Sequence, residues 1–466
     1  QAPKWQIHLP RFTMPLDLSI LPGRLASACR SVECAVADFS SVARGKVVAR
    51  ADFEAQGGCR LPSVVLGVTL TGGEPEAVFG PLLPTDYRDV HLLPDLATAV
   101  PVPGRSDRLS VICEPAGELP RLGREPLDAS HLSPRAALGR VLTRLAEAGL
   151  RATVAPELEF FLLERTPQGG LRPAGVPGGS GAREHALEIA SLERASHFAA
   201  YFDALFEACA LQRIPVTGFG HESATGQYEV NFAPGDPLAQ ADAVWRFKRL
   251  ARQTAVQQGF LASFIAKPFP EQPGTGLHWH ASLQHLGGPR DGANAFADEA
   301  GEDTPRLAHF IGGLQAHAPA SLALLAPWAH SFERLRRADA SPTDASWGED
   351  DRGVAFRLPA ASAANRRIEH RLPGGDASPY LTLAVLLGSG LLGMEAGLPR
   401  LDPAQQLPTD LPQALTALEG SSDLRGLLGE PLVALYVAQK RHELQERAAL
   451  ADPRRDWDLR HLVELA

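Results

Sequence analysis

Three short stretches of this chain carry ionisable residues two apart inside otherwise apolar, β-type sequence. They are Glu157 and Glu159 in PELEFFLL, His278 and His280 in GLHWHASL, and Glu369 and Arg371 in RRIEHR. On a strand, residues i and i+2 project from the same face. Each stretch therefore predicts one charged face and one apolar face. A fourth stretch, HESATGQYEVNF, sets Glu222 and Glu229 on either side of a turn at Gly226. Singly, such a pair usually marks a solvated strand face. Here the flanking Phe160, Phe161, Val230, Phe232 and Leu283 predict half-buried strands. Carboxylates gathered in that setting repel one another and resist ionisation unless cations compensate them.

The rest of the chain alternates long helical patterns with short strands. Helical spacing predicts helices over 134–149, 194–211, 237–258, 305–325, 379–397 and 430–448. Strands are predicted over 157–163, 227–232, 260–265, 277–283, 354–358 and 366–371, and a flexible loop over 169–181. The first 105 residues read differently, with strands over 31–39, 46–53, 63–70 and 90–93. The stretch 101–108, PVPGRSDR, reads as a linker. A two-domain division follows, residues 1–105 and 106–466, within the two to four domains that 466 residues suggest at about 100–200 each.

Composition removes several function classes. Lys and Arg number 45 against 54 Asp and Glu, a net charge of −9, and no long basic run marks a nucleic-acid binder. Five cysteines form no CxxC pair and are odd in number, which predicts reduced thiols and a cytoplasmic location. The stretch QAPKWQIHLP lacks a signal-peptide pattern. The longest apolar run, 381–394, falls short of the ~18–20 residues of a membrane span, so no membrane partner is expected. Gly388, Gly390 and Gly393 match GxGxxG, but inside an apolar helix rather than at a strand-to-helix turn. No GxxxxGK[ST] occurs either.

Five Glu with one or two His make a hard, oxygen-rich donor set, suited to Mg²⁺ or Mn²⁺ rather than zinc. A second constellation, Arg334, Arg352, Arg357, Arg367 and Arg371, offers guanidinium forks for carboxylate or phosphate oxygens. Arginines beside a Mg²⁺ site suggest phosphoryl transfer, where catalysis is largely positioning and charge neutralisation.

In order along the chain, PELEFFLL, GQYEVNF, FIAKPF with PGTGLHWHASL, HSFERL, WGEDDRGVAFRLP and RRIEHRLPGGDASPYL resemble the motifs of the glutamine synthetase family. The resemblance implies an α+β fold: a small N-terminal β-grasp-like domain and a large catalytic domain with a curved antiparallel half-barrel sheet backed by helices. It implies two or three Mg²⁺ or Mn²⁺ ions per site, with Glu159, Glu222 and Glu229 on one ion and Glu157, His278 and Glu369 on a second. Arg352, Arg357 and Arg367 would face the phosphates of ATP, the co-substrate, with Ser282 near the nucleotide. Gly274, His280, Arg334 and Arg371 would bind glutamate and its γ-phosphate, and Arg352, Arg357 and Arg371 would be catalytic. Homo-oligomers are implied, a dodecamer of two hexameric rings or a single hexamer, with active sites between neighbouring subunits.

The departures from the family pattern are specific. Ala340 stands where glutamine synthetases carry a flap Glu, and 64–73 (VVLGVTLTGG) lacks their ammonium-binding Asp. Pro273 replaces a glutamate-contacting Asn. No tyrosine-bearing adenylylation loop is recognisable near 398–409. A site without both acids should hold ammonium, a strongly hydrated cation, poorly. These changes resemble the γ-glutamylpolyamine synthetase branch. They imply an ATP- and Mg-dependent ligase joining the γ-carboxylate of glutamate to a primary amine, either a polyamine or a bulky monoamine. Trp347 would offer cation–π surface, and Asp339 or Asp344 would replace the missing base. The alternatives are ordinary glutamine synthesis from ammonia and a non-catalytic homologue.

Overall fold

The computed structural model describes residues 28–179, 182–335 and 341–465. It is a mixed α/β fold built on two main sheets. The first contains β1 (Ser31–Ala37), β2 (Ala43–Ala49), β3 (Cys59–Pro62), β4 (Asp89–Val102) and β5 (Arg105–Ala116), in the order β2-β1-β5-β4-β3. The central β1–β5 pair is parallel and the others are antiparallel. All five cysteines are free and buried.

Three local expectations in this region are corrected. The stretch 101–108 is no linker: it contains the turn of the β4–β5 hairpin, closed at Gly104 with φ +72°, inside a single sheet. The predicted strand 46–53 ends at Ala49 and gives way to a helix, Arg50–Gln56, supported by an Arg50–Glu54 ion pair at i,i+4 and stopped by left-handed Gly57. The predicted strand 63–70 is a single 3₁₀ turn, Ser63–Leu66, between Pro62 and Gly67.

A short hairpin, β6 (Glu118–Arg121) and β7 (Arg124–Asp128), leads into helix Pro134–Glu147, whose N-cap Ser133 accepts from Ala136 N–H. The second sheet has nine strands: β8 (Leu150–Arg165), β9 (Leu171–Pro173), β10 (Val216–His221), β11 (Gln227–Phe232), β12 (Leu261–Ser263), β13 (Leu277–His285), β14 (Trp347–Glu349), β15 (Phe356–Leu358) and β16 (Ile368–His370). Its main path runs β10-β11-β8-β13-β16-β15-β14, with β9 and β12 also paired to β8. The predicted loop at 169–181 thus includes β9. The helix expected over 194–211 is divided into Leu192–His197 and Ala199–Leu211.

Helices Pro134–Glu147 and Pro237–Gln257 cover one face of β8. That face carries Leu158, Phe160, Tyr228, Val230, Leu277, Trp279 and Phe356, all essentially inaccessible to solvent. Helix Pro379–Ala396 is the one described helix long and apolar enough to cross a membrane, but 78% of it is buried inside the fold. Its glycines serve close packing: a Cβ on Gly390 would lie 2.1 Å from the Phe310 ring, and one on Gly393 would lie 2.4 Å from Gly313 Cα. The GxGxxG spacing is therefore a helix-packing feature.

The first sheet is tied by charge to the helices that cover β8. Arg135 donates to Glu114 of β5 at 3.1 Å, to Asp95 of β4 at 2.8 Å and to Asp242 of helix Pro237–Gln257 at 2.9 Å. Arg135 is a buried cation, so these partners are what make its desolvation tolerable.

Candidate active site

Strand register decides which charged residues meet. In an antiparallel pair, residues directly opposite one another share a face. Glu157 lies opposite Asn231 on β11 and His278 on β13, and Glu159 lies opposite Glu229. His280 lies opposite Glu369 on β16, which in turn lies opposite Arg357 on β15. The predicted i,i+2 pairs thus converge on one face, with the apolar residues between them turned into the core. Trp279 is among these core residues; its indole N–H donates to Thr382 Oγ1 at 3.0 Å.

Within this face His278 Nδ1 is 3.9 Å from Glu157 Oε2, 3.9 Å from Glu159 Oε1 and 3.8 Å from Glu369 Oε1. These separations are too long for hydrogen bonds. They fall between the roughly 3.0 Å and 4.2 Å that separate adjacent and opposite ligands of an ion held at about 2.1 Å. Ligand atoms of Glu157, Glu229 and His278 lie within 4.8 Å of one another, as do those of Glu157, His280 and Glu369. Glu157 is common to both sets. His280, expected in glutamate binding, is therefore also close to the carboxylates: its Nε2 is 3.0 Å from Glu157 Oε1, and its Nδ1 accepts from Arg367 Nε at 3.3 Å.

The electrostatics are those of a site short of positive charge. Burial, with Glu222 and Glu229 nearby, raises the Glu159 carboxyl to about 8. Burial and the neighbouring Glu157 raise Glu229 to about 7. Burial also works against ionisation of Glu157, but the neighbouring His278 and the hydrogen-bonded His280 outweigh it and hold that carboxyl well below the usual range. Burial, assisted by Arg371 and Arg334, holds His278 neutral down to about 4 against the pull of Glu157. A neutral imidazole and a group of carboxylates that only a cation would fully ionise fit a divalent ion bound through oxygen and nitrogen.

Arginines frame the other end. Glu369 is fully buried; its Oε1 accepts from Arg371 and its Oε2 accepts from Arg357 Nη1 at 2.7 Å. Arg357 also pairs with Asp350. Arg371 Nε donates to Arg352 O at 3.1 Å. Arg334, also buried, donates to the carbonyls of Leu372 at 3.0 Å and Arg371 at 3.1 Å, and its Nη2 lies 3.5 Å from His278 Nε2. Arg352 is exposed and Arg367 half-buried. Ser282 lies two residues beyond His280 on the same face of β13.

Glycines give the backbone its close approaches. A Cβ on Gly274 would lie 2.1 Å from Ala266 O, and one on Gly276 would lie 2.5 Å from His278 Nε2. Gly276 N–H donates to Glu159 Oε2 at 2.9 Å.

Sequence reasoning missed Gln227. Its Nε2 donates to Glu159 Oε2 at 2.9 Å and to Gly274 O at 3.0 Å, joining the carboxylate face to the glycine loop. Its position two before Glu229 on the same strand was the available signal. Among the amine-pocket residues, Asp339 lies outside the described residues, as does Ala340. Asp344 accepts from Ser346 N–H at 3.0 Å. Trp347 is half-buried against the core and carries the Arg400 guanidinium 4.1 Å from its ring centroid.

The family model for the glutamine synthetase catalytic domain matches residues 131–460. The chain belongs to the glutamine synthetase family, whose members are ATP-dependent, C–N bond-forming ligases that use divalent metal ions. Gamma-glutamylputrescine synthetase PuuA of Escherichia coli K12 is 35% identical over 343 residues, covering 71% of this chain and 72% of PuuA. Glutamine synthetase of Mycobacterium tuberculosis H37Rv is 33% identical over 338 residues, covering 67% and 72%. Among solved structures, a novel glutamine synthase homolog superposes with a TM-score of 0.77 at 28% identity, covering 94% of this chain and 99% of that one. GmaS in complex with ADP superposes with a TM-score of 0.73 at 26% identity, covering 93% and 96%.

Proposed function

We propose that this protein uses ATP to join the γ-carboxylate of glutamate to a primary amine, either a polyamine or a bulky monoamine. The observation that carries this reading is the convergence of carboxylates, histidines and arginines on one sheet face, in a chain 35% identical to a gamma-glutamylputrescine synthetase.

In this reading Glu159, Glu222 and Glu229 hold one divalent ion, and Glu157, His278 and Glu369 hold a second, with two or three Mg²⁺ or Mn²⁺ per site. Bound ions of this kind orient phosphate oxygens and neutralise their charge. Arg352, Arg357 and Arg367 face the ATP phosphates, with Ser282 near the nucleotide. Gly274, His280, Arg334 and Arg371 hold glutamate. The buried Glu369 fixes Arg357 and Arg371, so their guanidinium forks are set before substrate arrives and need no reorganisation during the reaction.

The acceptor is a larger amine because the acids that would hold ammonium are replaced, by Ala340 and by the carboxylate-free stretch 64–73. Asp344 or Asp339 takes the amine proton. Trp347 lines the amine pocket, on a ring already engaged by Arg400.

We assign the first sheet to a β-grasp-like N-terminal domain. Its boundary with the catalytic domain moves from residue 105 to about residue 130, past the β4–β5 hairpin and next to the start of the family match. The functional assembly in this reading is a homo-oligomer, two hexameric rings or one, acting on small molecules in the cytoplasm without nucleic-acid or membrane partners.

A phosphate-release screen with glutamate over ammonia, alkylamines and polyamines tests the proposal. Amine-stimulated release above that with ammonia is expected. Ammonia turning over better than every amine would instead favour glutamine synthesis. Absence of Mg²⁺-dependent ATP cleavage with any acceptor would favour a non-catalytic homologue.

A further inference from the structure

On the side of the sheet away from the carboxylates, segment 184–194 is clasped to the turn that carries Glu222. Glu184 is only 7% exposed, and the groups that meet its carboxylate belong to that turn and the strands joined by it. Gly226 N–H donates to Glu184 Oε2 at 2.5 Å, and His221 Nε2 lies 2.9 Å from the same oxygen. Tyr228 hydroxyl is shared between Glu184 Oε1 at 3.5 Å and Arg194 O at 3.2 Å. The His221 ring also reaches Glu188 O through Nδ1 at 2.8 Å, and its backbone carbonyl accepts from Ala190 N–H at 2.9 Å.

None of these side chains lies among the carboxylates. His221 pairs with Tyr228 across β10 and β11, on the opposite face from Glu229. Yet each is adjacent in sequence to a residue that does: His221 precedes Glu222, Gly226 precedes Gln227, and Tyr228 precedes Glu229. The turn itself is tight. Gly226 has φ +72°, and a Cβ there would lie 2.9 Å from Leu162 O. Its backbone is thus held from outside, by a buried carboxylate that is tolerable in the interior only because these donors meet it.

We propose that Glu184 is a positioning residue for the divalent-metal site. Through Gly226 and His221 it sets the turn that carries Glu222 and leads into Gln227, which orients Glu159, and Glu229. The inference rests on the metal-dependent reading given above. Groups that orient metal ligands without touching the ion commonly contribute 10–100-fold in affinity.

The test is a calorimetric titration of the full chain with Mn²⁺, without ATP, glutamate or amine, beside a thermal melt in chelator. Glu184→Ala is expected to weaken Mn²⁺ binding by about 10–100-fold while still melting cooperatively. Glu184→Gln, which keeps an acceptor for Gly226 N–H, is expected to recover most of that loss. Mn²⁺ affinity unchanged in Glu184→Ala, or a Gln variant as weak as the Ala variant, would overturn the proposal. Should Glu184→Ala fail to fold, His221→Asn, which removes the Nε2 contact and puts an amide in place of Nδ1, is read by the same titration: weakened binding supports the clasp and unchanged binding overturns it. Failure of the unsubstituted chain to bind Mn²⁺ would overturn the metal-dependent reading itself, a result distinct from a failure of positioning.

Discussion

The side-chain amide of Gln227 donates to Glu159 Oε2 over 2.9 Å and, from the same nitrogen, to Gly274 O over 3.0 Å. One residue thus orients the most buried carboxylate of the Glu157–Glu159 pair and fixes the loop opposite it. Removing it should matter more to the ion than to the fold. Gln227→Ala is expected to weaken Mn²⁺ binding by about 10–100-fold, measured by titration, with turnover partly restored at high metal concentration.

Metal affinity should rise with pH. Without an ion, Glu159 holds its proton up to about 8 and Glu229 up to about 7. Both must be ionised to bind a cation, so binding releases protons below those values and becomes tighter as pH increases, levelling above about 8. Calorimetry in buffers of different ionisation enthalpy measures the released protons. Glu159→Gln should lower their number.

Glu369→Ala is expected to abolish amide formation. It removes a proposed ion ligand and leaves Arg357 and Arg371 without their shared carboxylate. Breaking such a buried pair from one side typically costs about 3–5 kcal/mol. The chain should remain folded but melt lower. Glu369→Gln, which keeps the shape and one acceptor, should be equally inactive with a smaller change in melting temperature. Activity in either variant would remove Glu369 from the site.

Gly276→Ala and Gly274→Ala should separate two effects. The added methyl of Gly276→Ala meets His278 Nε2 at 2.5 Å, an edge that can move only by turning the imidazole. Its main consequence should be weaker metal binding. In Gly274→Ala the methyl meets the Ala266 carbonyl at 2.1 Å, which is backbone. The loop must shift as a whole, destabilising by about 1–3 kcal/mol and raising the KM for glutamate. Melting curves and steady-state kinetics on both variants measure the contrast.

Much of the site was legible because side-chain direction along a strand depends on local geometry alone. The period of two in PELEFFLL and LHWHASL was enough to place Glu157 with Glu159 and His278 with His280, and to send Trp279 to the other face. The long helices were legible for a similar reason, through the helical spacing of their apolar residues. Where local signals conflicted, the reading failed. Arg50–Gln56 is rich enough in β-type neighbours to read as strand, but its ion pair and glycine stop make it a helix. The Pro/Gly-rich 101–108 reads as a linker and is a hairpin turn, because pairing between β4 and β5 is a non-local interaction that composition does not record.

The sequence by itself determined which groups are available: carboxylates and histidines two apart on strand-type sequence, five arginines, and a stretch 64–73 without a carboxylate. Only the tertiary structure decided how those groups combine. Register across β11, β8, β13, β16 and β15 set Glu229 beside Glu159, His278 beside Glu157, and Arg357 beside Glu369. The folded chain also brought His280 to Glu157, Gln227 to Glu159 and Glu184 to Gly226. These contacts join residues far apart in the chain. Their alignment is fixed by how the apolar faces of the strands pack beneath the helices, so a slip of one residue would turn these charged side chains into the core.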